Sequence, residues 1–450
     1  MRQKASSEEI FSTMSVPRAV RAMAVPTVAG QLIVLIYNLA DTYFIGQTND
    51  PAMVAGVSLI LPVFNLIPAL GILFGIGGGA LLPMLLARGE KEEATRVAAY
   101  CARLGAAAAL GFSLLLLLFM RPILGALGAG ENTYAHARVY VLCALVAGGI
   151  PTLLANVLSN LLRSLGLSRE AGIGVALGGA LNIFLDPLFM FVLLPPGHEV
   201  LGVGIATLLS NLISCGYCLL IFCRRQRVIA ADFTAPPPRP DSRRAVYAVG
   251  IPGSLGALLF DVDYMVLDRL VSGYGDTALA AIGIVLKAER LPQQICIGLC
   301  QGMVPLVAYS CALGDYKRIR GVMRVTLLTG LAVAVLSVTS YELLAPQIVR
   351  FFIEDPATLA IGTGFLRVRS VAAGIMFFCF FVVFLYQGLG MGFRSLLLAV
   401  LRWAGLNIPM LFLFNRLFGM YGLVWSQVAS DLLTVLASFL LLHRDMRGWS

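Results

Sequence analysis

The chain has 450 residues, of which 59% are hydrophobic and only 13% are charged, and its mean hydropathy is +0.87. Charged residues fall in short clusters, so the apolar stretches between them exceed the roughly 20 residues that cross a bilayer. This composition excludes a soluble globular protein and predicts an all-α integral membrane protein. The net charge of +9 fits contact with anionic lipid headgroups, so it does not indicate a nucleic-acid partner.

The chain begins with a predicted cytoplasmic segment, residues 1–17. Glu8, Ile10, Phe11 and Met14 favour an interfacial amphipathic helix in this segment, and a disordered tail is an equal alternative. The apolar stretch that follows is too long for the apolar core of a cleavable signal peptide. It is therefore predicted to remain as the first span.

Twelve membrane spans are predicted, six in each half of the chain. They are residues 18–46, 53–86, 94–120, 135–164, 169–194, 200–223, 244–273, 277–311, 318–346, 357–390, 394–417 and 419–443. The first six form an N-lobe, residues 18–223, and the last six form a C-lobe, residues 244–443. Residues 444–450 are a predicted cytoplasmic C-terminus.

The two halves repeat one another. Pro26 is followed by Pro252 at an offset of 226 residues, and Asn182 by Asn407 at an offset of 225, each within similar surroundings. A nearly constant offset indicates duplication of a membrane bundle, and alternating access between such halves is how many carriers work. The sequence thus predicts a transporter built from two homologous six-helix lobes.

The predicted linker between the lobes is residues 224–243. The prolines within 229–241 favour an extended polyproline II path over a helix. The linker is predicted to join the lobes without packing into either.

Basic residues predict the orientation in the membrane. The loops on one side carry most of the arginines and lysines, among them Arg163 and Arg243. The other side carries five arginines, which are Arg121, Arg138, Arg269, Arg350 and Arg416. This asymmetry predicts that both termini and the linker are cytoplasmic.

Two patterns that suggest chemistry are better explained by packing. Cys215 and Cys218 form a C-x-x-C inside a predicted span without flanking charges, and the chain has only three histidines to complete a metal site. The glycines of 75–79 are not followed by the Gly-Lys-Ser/Thr of a phosphate loop. Small residues in spans let helices approach closely.

The informative residues of the first half are polar groups inside predicted spans. Asp41 lies in span one, Asp186 in span five with Asn182 one turn before it, and Thr207 in span six. Polar groups are costly in lipid, so these four are predicted to face a cavity or one another. The structural alternative is that they only hold the three spans together by hydrogen bonds.

Pro187 extends this pattern. It has no N–H, so the carbonyl of Ile183 loses its helical partner and becomes available as a ligand beside Asp186. Carboxylate and neutral oxygens suit Na⁺, which is a hard cation, and two neighbouring carboxylates also suit a shared proton. The residues leave both ions open, so the predicted cation-coupling site is also a potential Na⁺ site.

The second half lacks the same set. Asn407 occupies the position of Asn182, but Leu411 stands where the first half has Asp186. Trp425 occupies the position in the second half that is equivalent to Thr207. The cation site is therefore predicted to be confined to the N-lobe.

Spans seven and eight carry further charges. Span seven holds Asp261, Asp263 and Asp268, and Asp261 is predicted to line the cavity. In span eight, the residues Lys287, Glu289 and Arg290 either contact substrate or pair with span seven.

Four segments, in order along both halves, resemble the multidrug and toxic compound extrusion (MATE) family and its bacterial branch of MepA-type pumps. These segments are residues 38–48, 74–79, 182–187 and 301–309. The resemblance implies a twelve-helix, two-lobe antiporter of the bacterial cell membrane that exports cationic or amphipathic organic compounds in exchange for H⁺ or Na⁺, without a cofactor. It places the coupling site at Asp41, Asn182, Asp186 and Thr207. Some members carry an acidic pair in spans seven and ten, but span ten here offers Tyr386 and Gln387 and no carboxylate.

Further residues are assigned roles in this mechanism. The polar residues predicted to contact substrate are Gln31, Asn38, Asn65, Asn156, Asn160, Asp261, Lys287 and Gln301. The prolines predicted to bend helices are Pro26, Pro187 and Pro252. The expected partners are small organic cations or amphipathic drugs and the lipid bilayer, and the protein is expected to be a monomer.

Two other functions were compared with export. A lipid-linked oligosaccharide flippase of the same two-lobe design requires cavity cations to hold a diphosphate, for which Lys287 and Arg290 are the candidates. A membrane transferase requires clustered aspartates that bind Mg²⁺. Asp261, Asp263 and Asp268 are too loosely spaced for that, so an enzyme is not predicted.

Overall fold

The structure, a computed structural model, describes residues 7–48, 50–224, 228–230 and 232–447. Parts of the predicted termini (1–6 and 448–450) and of the linker (225–227 and 231) lie outside the described residues. The α-helices are α1 Ser7–Phe11, α2 Val16–Gly46, α3 Pro51–Ser58, α4 Leu61–Phe64, α5 Leu66–Ala87, α6 Lys91–Leu118, α7 Met120–Ala126, α8 Glu131–Tyr140, α9 Gly149–Ser164, α10 Ser168–Pro187, α11 Glu199–Arg224, α12 Pro240–Ser272, α13 Asp276–Ala312, α14 Tyr316–Phe352, α15 Pro356–Gly388, α16 Gly392–Val400 and α17 Ile408–Met446. The π-helical segments are Val141–Ala147, Leu188–Leu193 and Leu401–Asn407.

Ten helical stretches are long and apolar enough to cross a membrane, and the bent pair Glu131–Ala147 and Gly149–Ser164 adds an eleventh span. The last stretch, Gly392–Met446, has 55 residues, or about 80 Å at 1.5 Å per residue, which is more than twice the thickness of a bilayer core. It is broken at Gly419, whose φ of 61° and ψ of −144° suit only glycine. Gly419 thus divides it into two spans, and the described chain has the twelve spans that were predicted.

The π-helical segments were not predicted, and two of them adjoin polar residues. Leu188–Leu193 begins directly after Pro187, and Leu401–Asn407 ends at Asn407. π-helical turns inside α-helices often occur at functional sites. Their positions therefore indicate a candidate functional site in each lobe, near Asp186 and near Asn407.

The described parts of the N-terminal segment, the linker and the end of α17 contact the ends of neighbouring helices at one end of the bundle, called here the basic end. The lobes meet in the basic-end halves of α2, α5, α12 and α13. A Cβ on Gly302 of α13 would lie 2.7 Å from the Cα of Ala24 in α2, and a Cβ on Gly250 of α12 would collide with the carbonyl oxygen of Leu73 in α5. These glycines let the backbones of the two lobes approach closely.

The linker packs on the N-lobe, so the prediction that it packs into neither lobe is wrong. Arg103 of α6 donates to the Ala235 carbonyl at 2.8 Å, and the rings of Phe233 and Phe222 lie 5.6 Å apart. The buried Glu93 accepts from the backbone N–H of Arg239 at 2.8 Å. Prolines disfavour a helix here, as predicted, but leave carbonyls free to bind neighbouring side chains.

The N-terminal segment is bound to the C-lobe. Ile10 and Phe11 of α1 are buried, and the ring of Phe11 stacks on Tyr309 of α13 at 5.2 Å. Arg318 of α14 donates to the carbonyls of Ile10 and Met14 at 3.1 and 3.0 Å. From residue 7 onward the segment therefore packs on the C-lobe. It is not a disordered tail, and it does not rest only on the membrane surface.

Candidate functional site

Four predicted residues from three spans meet inside the N-lobe. Asp186 of α10 is completely buried (0% exposed), and Asn182 and Thr207 are also buried. The amide of Asn182, one turn before Asp186, donates to its Oδ1 at 3.3 Å. The carboxyl group of Asp41 on α2 faces that of Asp186. Spacing along the helices and the packing of α2 on α10 together create this cluster.

Several buried oxygens of the cluster have no hydrogen-bond partner in the part of the chain that the structure describes. Asp41 Oδ1, Asn182 Oδ1, Asp186 Oδ2 and Thr207 Oγ1 have no hydrogen-bond partner among the described residues, and neither has Ser210 Oγ. An ionised carboxylate can only accept, so two facing carboxylates cannot satisfy one another. A proton on one of them, or a small hard cation between them, would satisfy these oxygens, and the oxygen-only donor set fits both.

Two tyrosines beside the cluster were not singled out from the sequence. Tyr37, one turn before Asp41, and the buried Tyr140, at the end of α8, both lie next to the carboxylates. Tyr37 lies four residues before Asp41, so helical spacing predicts that the two side chains share one face of α2. Tyr140 has no such signal, because only tertiary packing brings span four to this point.

The three prolines differ in their effect. The regular α-helix ends at Pro187, directly after Asp186, and continues as a π-helix. Pro26 and Pro252 lie inside α2 and α12, which run as helices through both positions. The chain is therefore not broken at the two prolines that begin the repeat.

Other predicted cavity residues lie where the lobes meet. The amide of Gln31 donates to Gln301 Oε1 at 3.0 Å across the lobes. Asn160 and Gln301 also line an inter-lobe cavity of about 20 Å³ together with Arg163. Arg163 is buried and donates to Asn160 Oδ1 at 2.8 Å. Arg163 was counted among the basic loop residues that predict the orientation, but its burial shows that it is not a loop cation.

The remaining predicted cavity residues are scattered. Asn156 accepts from the amide of Asn160 at 3.1 Å within α9. Asn65 is half-buried before α5, Asp261 is half-buried in α12, and Asn38 and Lys287 are exposed. Of the eight predicted contacts, the structure brings Gln31, Asn156, Asn160 and Gln301 into inter-residue networks and leaves the others apart.

The C-lobe contains a buried carboxylate to which no role was assigned. Asp263 of α12 is 1% exposed, and both of its oxygens accept from the amide of Asn407 at 2.8 Å. Ser430 donates to Asn407 Oδ1 at 3.1 Å, and the Asn407 amide also reaches Gln427 Oε1 at 3.2 Å. Asn407 thus has an acidic partner like Asn182, but that partner comes from another helix.

Two buried ion pairs neutralise other acidic residues of the C-lobe. Glu289 accepts from Arg369 of α15 at 2.7 Å. It therefore pairs with span ten and not with span seven, which was one of the two predicted alternatives. Arg402 contacts Asp431 at 2.7 and 3.1 Å. Asp41 and Asp186 of the N-lobe, in contrast, form no ion pair with any described residue.

Twelve spans in two repeated lobes, with unpaired carboxylates buried in one of them, define a secondary membrane transporter rather than an enzyme. A family model described as MatE matches residues 26–188 and 252–413, most of each lobe. The chain belongs to the MatE family. The predicted family is thereby confirmed.

The comparisons with individual proteins agree. The chain is 28% identical over 435 residues to "Multidrug export protein MepA" of Staphylococcus saprophyticus, covering 96% of this chain and 95% of the relative. The structure resembles "Crystal structure of MATE in complex with MaL6" with a TM-score of 0.93 and 21% identity, covering 99% of both chains. It resembles "Outward-facing conformation of a multidrug resistance MATE family transporter of the MOP superfamily" with a TM-score of 0.92 and 21% identity over 100% of both chains. The twelve-helix, two-lobe fold is confirmed.

Proposed function

We propose that the protein is a secondary multidrug efflux antiporter that exports cationic or amphipathic organic compounds in exchange for H⁺ or Na⁺. Family membership and the printed names of the relatives support export of drugs. The observation that carries ion coupling is the set of unpartnered buried oxygens around Asp41 and Asp186. A proton or Na⁺ bound here would supply a partner to oxygens that otherwise have none.

Exchange follows from competition for the same negative charge. With both carboxylates ionised, the cluster attracts a cationic compound into the N-lobe. A proton on Asp186 Oδ2 allows it to donate to Asp41, which removes that attraction and releases the compound. A ligand shifts a conformational equilibrium only as far as it prefers one state, and this mutual exclusion supplies the preference.

Alternating access requires the lobes, proposed as residues 18–223 and 244–443, to separate where they now meet. Their contact at the basic end, including the Gln31–Gln301 hydrogen bond, closes that end in this structure. The excess of basic residues supports a cytoplasmic basic end and both termini in the cytoplasm. Arg163 no longer counts toward that excess, because it is buried. A monomer in a bacterial cell membrane completes the proposal.

The flippase alternative is not favoured. It requires a cluster of free cations in the cavity to bind a diphosphate, but Arg369 and Arg402 are paired with carboxylates. Arg163 lines the inter-lobe cavity as a single arginine and donates to Asn160. Lys287 and Arg290 are exposed and do not form a buried diphosphate site.

The test is efflux of a fluorescent cationic dye from proteoliposomes under an imposed pH or Na⁺ gradient. Asp41→Asn and Asp186→Asn are each expected to abolish gradient-driven efflux, and the gradient that drives the native chain identifies the ion. Asp268→Asn is the matched control, because Asp268 is an exposed carboxylate of α12. Efflux that survives both N-lobe substitutions would show that these carboxylates are structural.

A further inference from the structure

A groove of about 940 Å³ opens at the basic end between α6, the start of α12 and the turn before α16. Its polar wall includes Arg243, Arg244 and Arg394, and its apolar wall includes Ile251 and Phe393. Ile251 and Phe393 are both exposed. The groove therefore combines a basic cluster with an open apolar surface.

The arginines differ in what they contact. Arg394 is paired with Asp445 of α17. Arg243 and Arg244 form no ion pair with any described residue, and Arg243 Nε is buried without a hydrogen-bond partner. Both arginines line the groove without a counter-charge from the described residues, so an anion bound in the groove is favourable.

The position of the groove in the fold indicates which anions can reach it. Arg243 and Arg244 lie in the first turns of α12, which begins at Pro240. A span begins near the level of the lipid headgroups, and the start of a helix also favours negative charge. Ile251 lies two turns deeper, at the level of the acyl chains.

We propose that this groove binds an anionic phospholipid. Arg243 and Arg244 bind its phosphate, and one acyl chain lies along Ile251 and Phe393. The apolar wall selects a lipid over a free phosphate, and the surplus positive charge selects an anionic lipid over a zwitterionic one.

Such a lipid would touch both lobes. Tyr100 of α6 and Tyr247 of α12 line the groove, and their hydroxyl groups lie 3.2 Å apart. Tyr100 belongs to the N-lobe and Tyr247 to the C-lobe. A lipid held here therefore binds best when the lobes are together at the basic end, and it stabilises that state.

The test is native mass spectrometry of the full-length, delipidated protein with dioleoyl phosphatidylglycerol, dioleoyl phosphatidylcholine or glycerol 3-phosphate. The native chain is expected to bind phosphatidylglycerol more tightly than phosphatidylcholine. The double variant Arg243→Gln/Arg244→Gln is expected to lose about 25-fold in affinity, at about fivefold per arginine. Arg243→Lys/Arg244→Lys keeps the charge and is expected to keep most of the binding.

Arg18→Gln/Arg324→Gln is the matched control, because both arginines are exposed on other basic-end helices. Its affinity for phosphatidylglycerol is expected to stay within about twofold of native. Equal binding by the native and Gln variants, or equal binding of the two lipids, would overturn the proposal. Displacement of phosphatidylglycerol by an equal concentration of glycerol 3-phosphate would overturn it in favour of a free-anion site.

Discussion

Asp431→Asn is expected to destabilise the C-lobe by about 3–5 kcal/mol, because it leaves a buried guanidinium without its counter-charge. Asp431 is 0% exposed and Arg402 is 2% exposed, so water cannot replace the lost partner. The two hydrogen bonds of 2.7 and 3.1 Å make this a bidentate pair. The guanidinium also lies 4.1 Å from the ring of Trp403 and 4.8 Å from that of Phe380, which holds it in place.

The same change at Asp186 has the opposite expectation. Asp186 is equally buried, but among the described residues it contacts the Asn182 amide at 3.3 Å and faces the Asp41 carboxyl group, and it pairs with no cation. Replacing it with the nearly isosteric asparagine removes an uncompensated buried charge. The stability of Asp186→Asn is therefore expected to be unchanged or higher.

The measurement is the thermal unfolding midpoint, Tm, of the purified proteins in one detergent. Asp431→Asn is expected to lower Tm by at least about 6 °C, scaling as for a domain of about 200 residues. The double variant Arg402→Met/Asp431→Leu is expected to recover most of this loss, since an apolar pair can replace a buried ion pair. A Tm for Asp431→Asn equal to that of the native protein, or an equal fall for Asp186→Asn, would refute the reasoning.

Two further predictions concern contacts at the basic end. Gly250→Ala places a Cβ against the Leu73 carbonyl, and overpacking of about 1–3 kcal/mol should shift the lobes apart there. Nitroxide labels at exposed positions 88 and 320, introduced after replacement of the partly exposed cysteines, should then show longer distances by electron resonance. Arg318→Ala removes two hydrogen bonds to the N-terminal segment, so limited proteolysis should cut that segment faster while α14 remains intact.

Each of these has a control within the chain. Gly256→Ala adds the same methyl group to α12, but its nearest neighbour is the Ala399 side chain of the same lobe at 3.3 Å. Its label distances should match those of the native protein, and a shift as large as that of Gly250→Ala would contradict the explanation. The control for Arg318→Ala is Arg324→Ala, because Arg324 is an exposed arginine of the same helix, α14. Equal cleavage rates in the two variants would show that Arg318 does not hold the segment.

The N-lobe cluster was predictable because each of its members stands out alone. Asp41, Asn182 and Asp186 are polar residues in apolar stretches, and helical spacing already places Asn182 beside Asp186. The pairs of the C-lobe carry no such local signal. Arg402 and Asp431 are 29 residues apart, and Asn407 and Asp263 are 144 apart. Only the packing of the spans makes them neighbours.

The errors outside the sites have the same origin. The prolines correctly excluded a helix from residues 232–239, although α12 already begins at Pro240. Composition does not predict which side chain binds a free carbonyl, such as that of Ala235, which accepts from Arg103. Arg163 is the second-last residue of predicted span four, residues 135–164, and was counted with the cations of the adjoining loop. Its burial depends on how α5, α9 and α13 meet around it.

Two hydrogen bonds between the described parts of the lobes, residues 18–223 and 244–443, join uncharged groups, an amide pair at Gln31 and Gln301 and a phenol pair at Tyr100 and Tyr247. Replacing such a bond with bonds to water costs only about 0.5–1.5 kcal/mol. Separating a buried ion pair would cost several times more, and those pairs lie within a single lobe. The parts that must come apart in every turnover are thus joined by bonds that thermal motion breaks readily. The two buried ion pairs keep the C-lobe rigid while it moves.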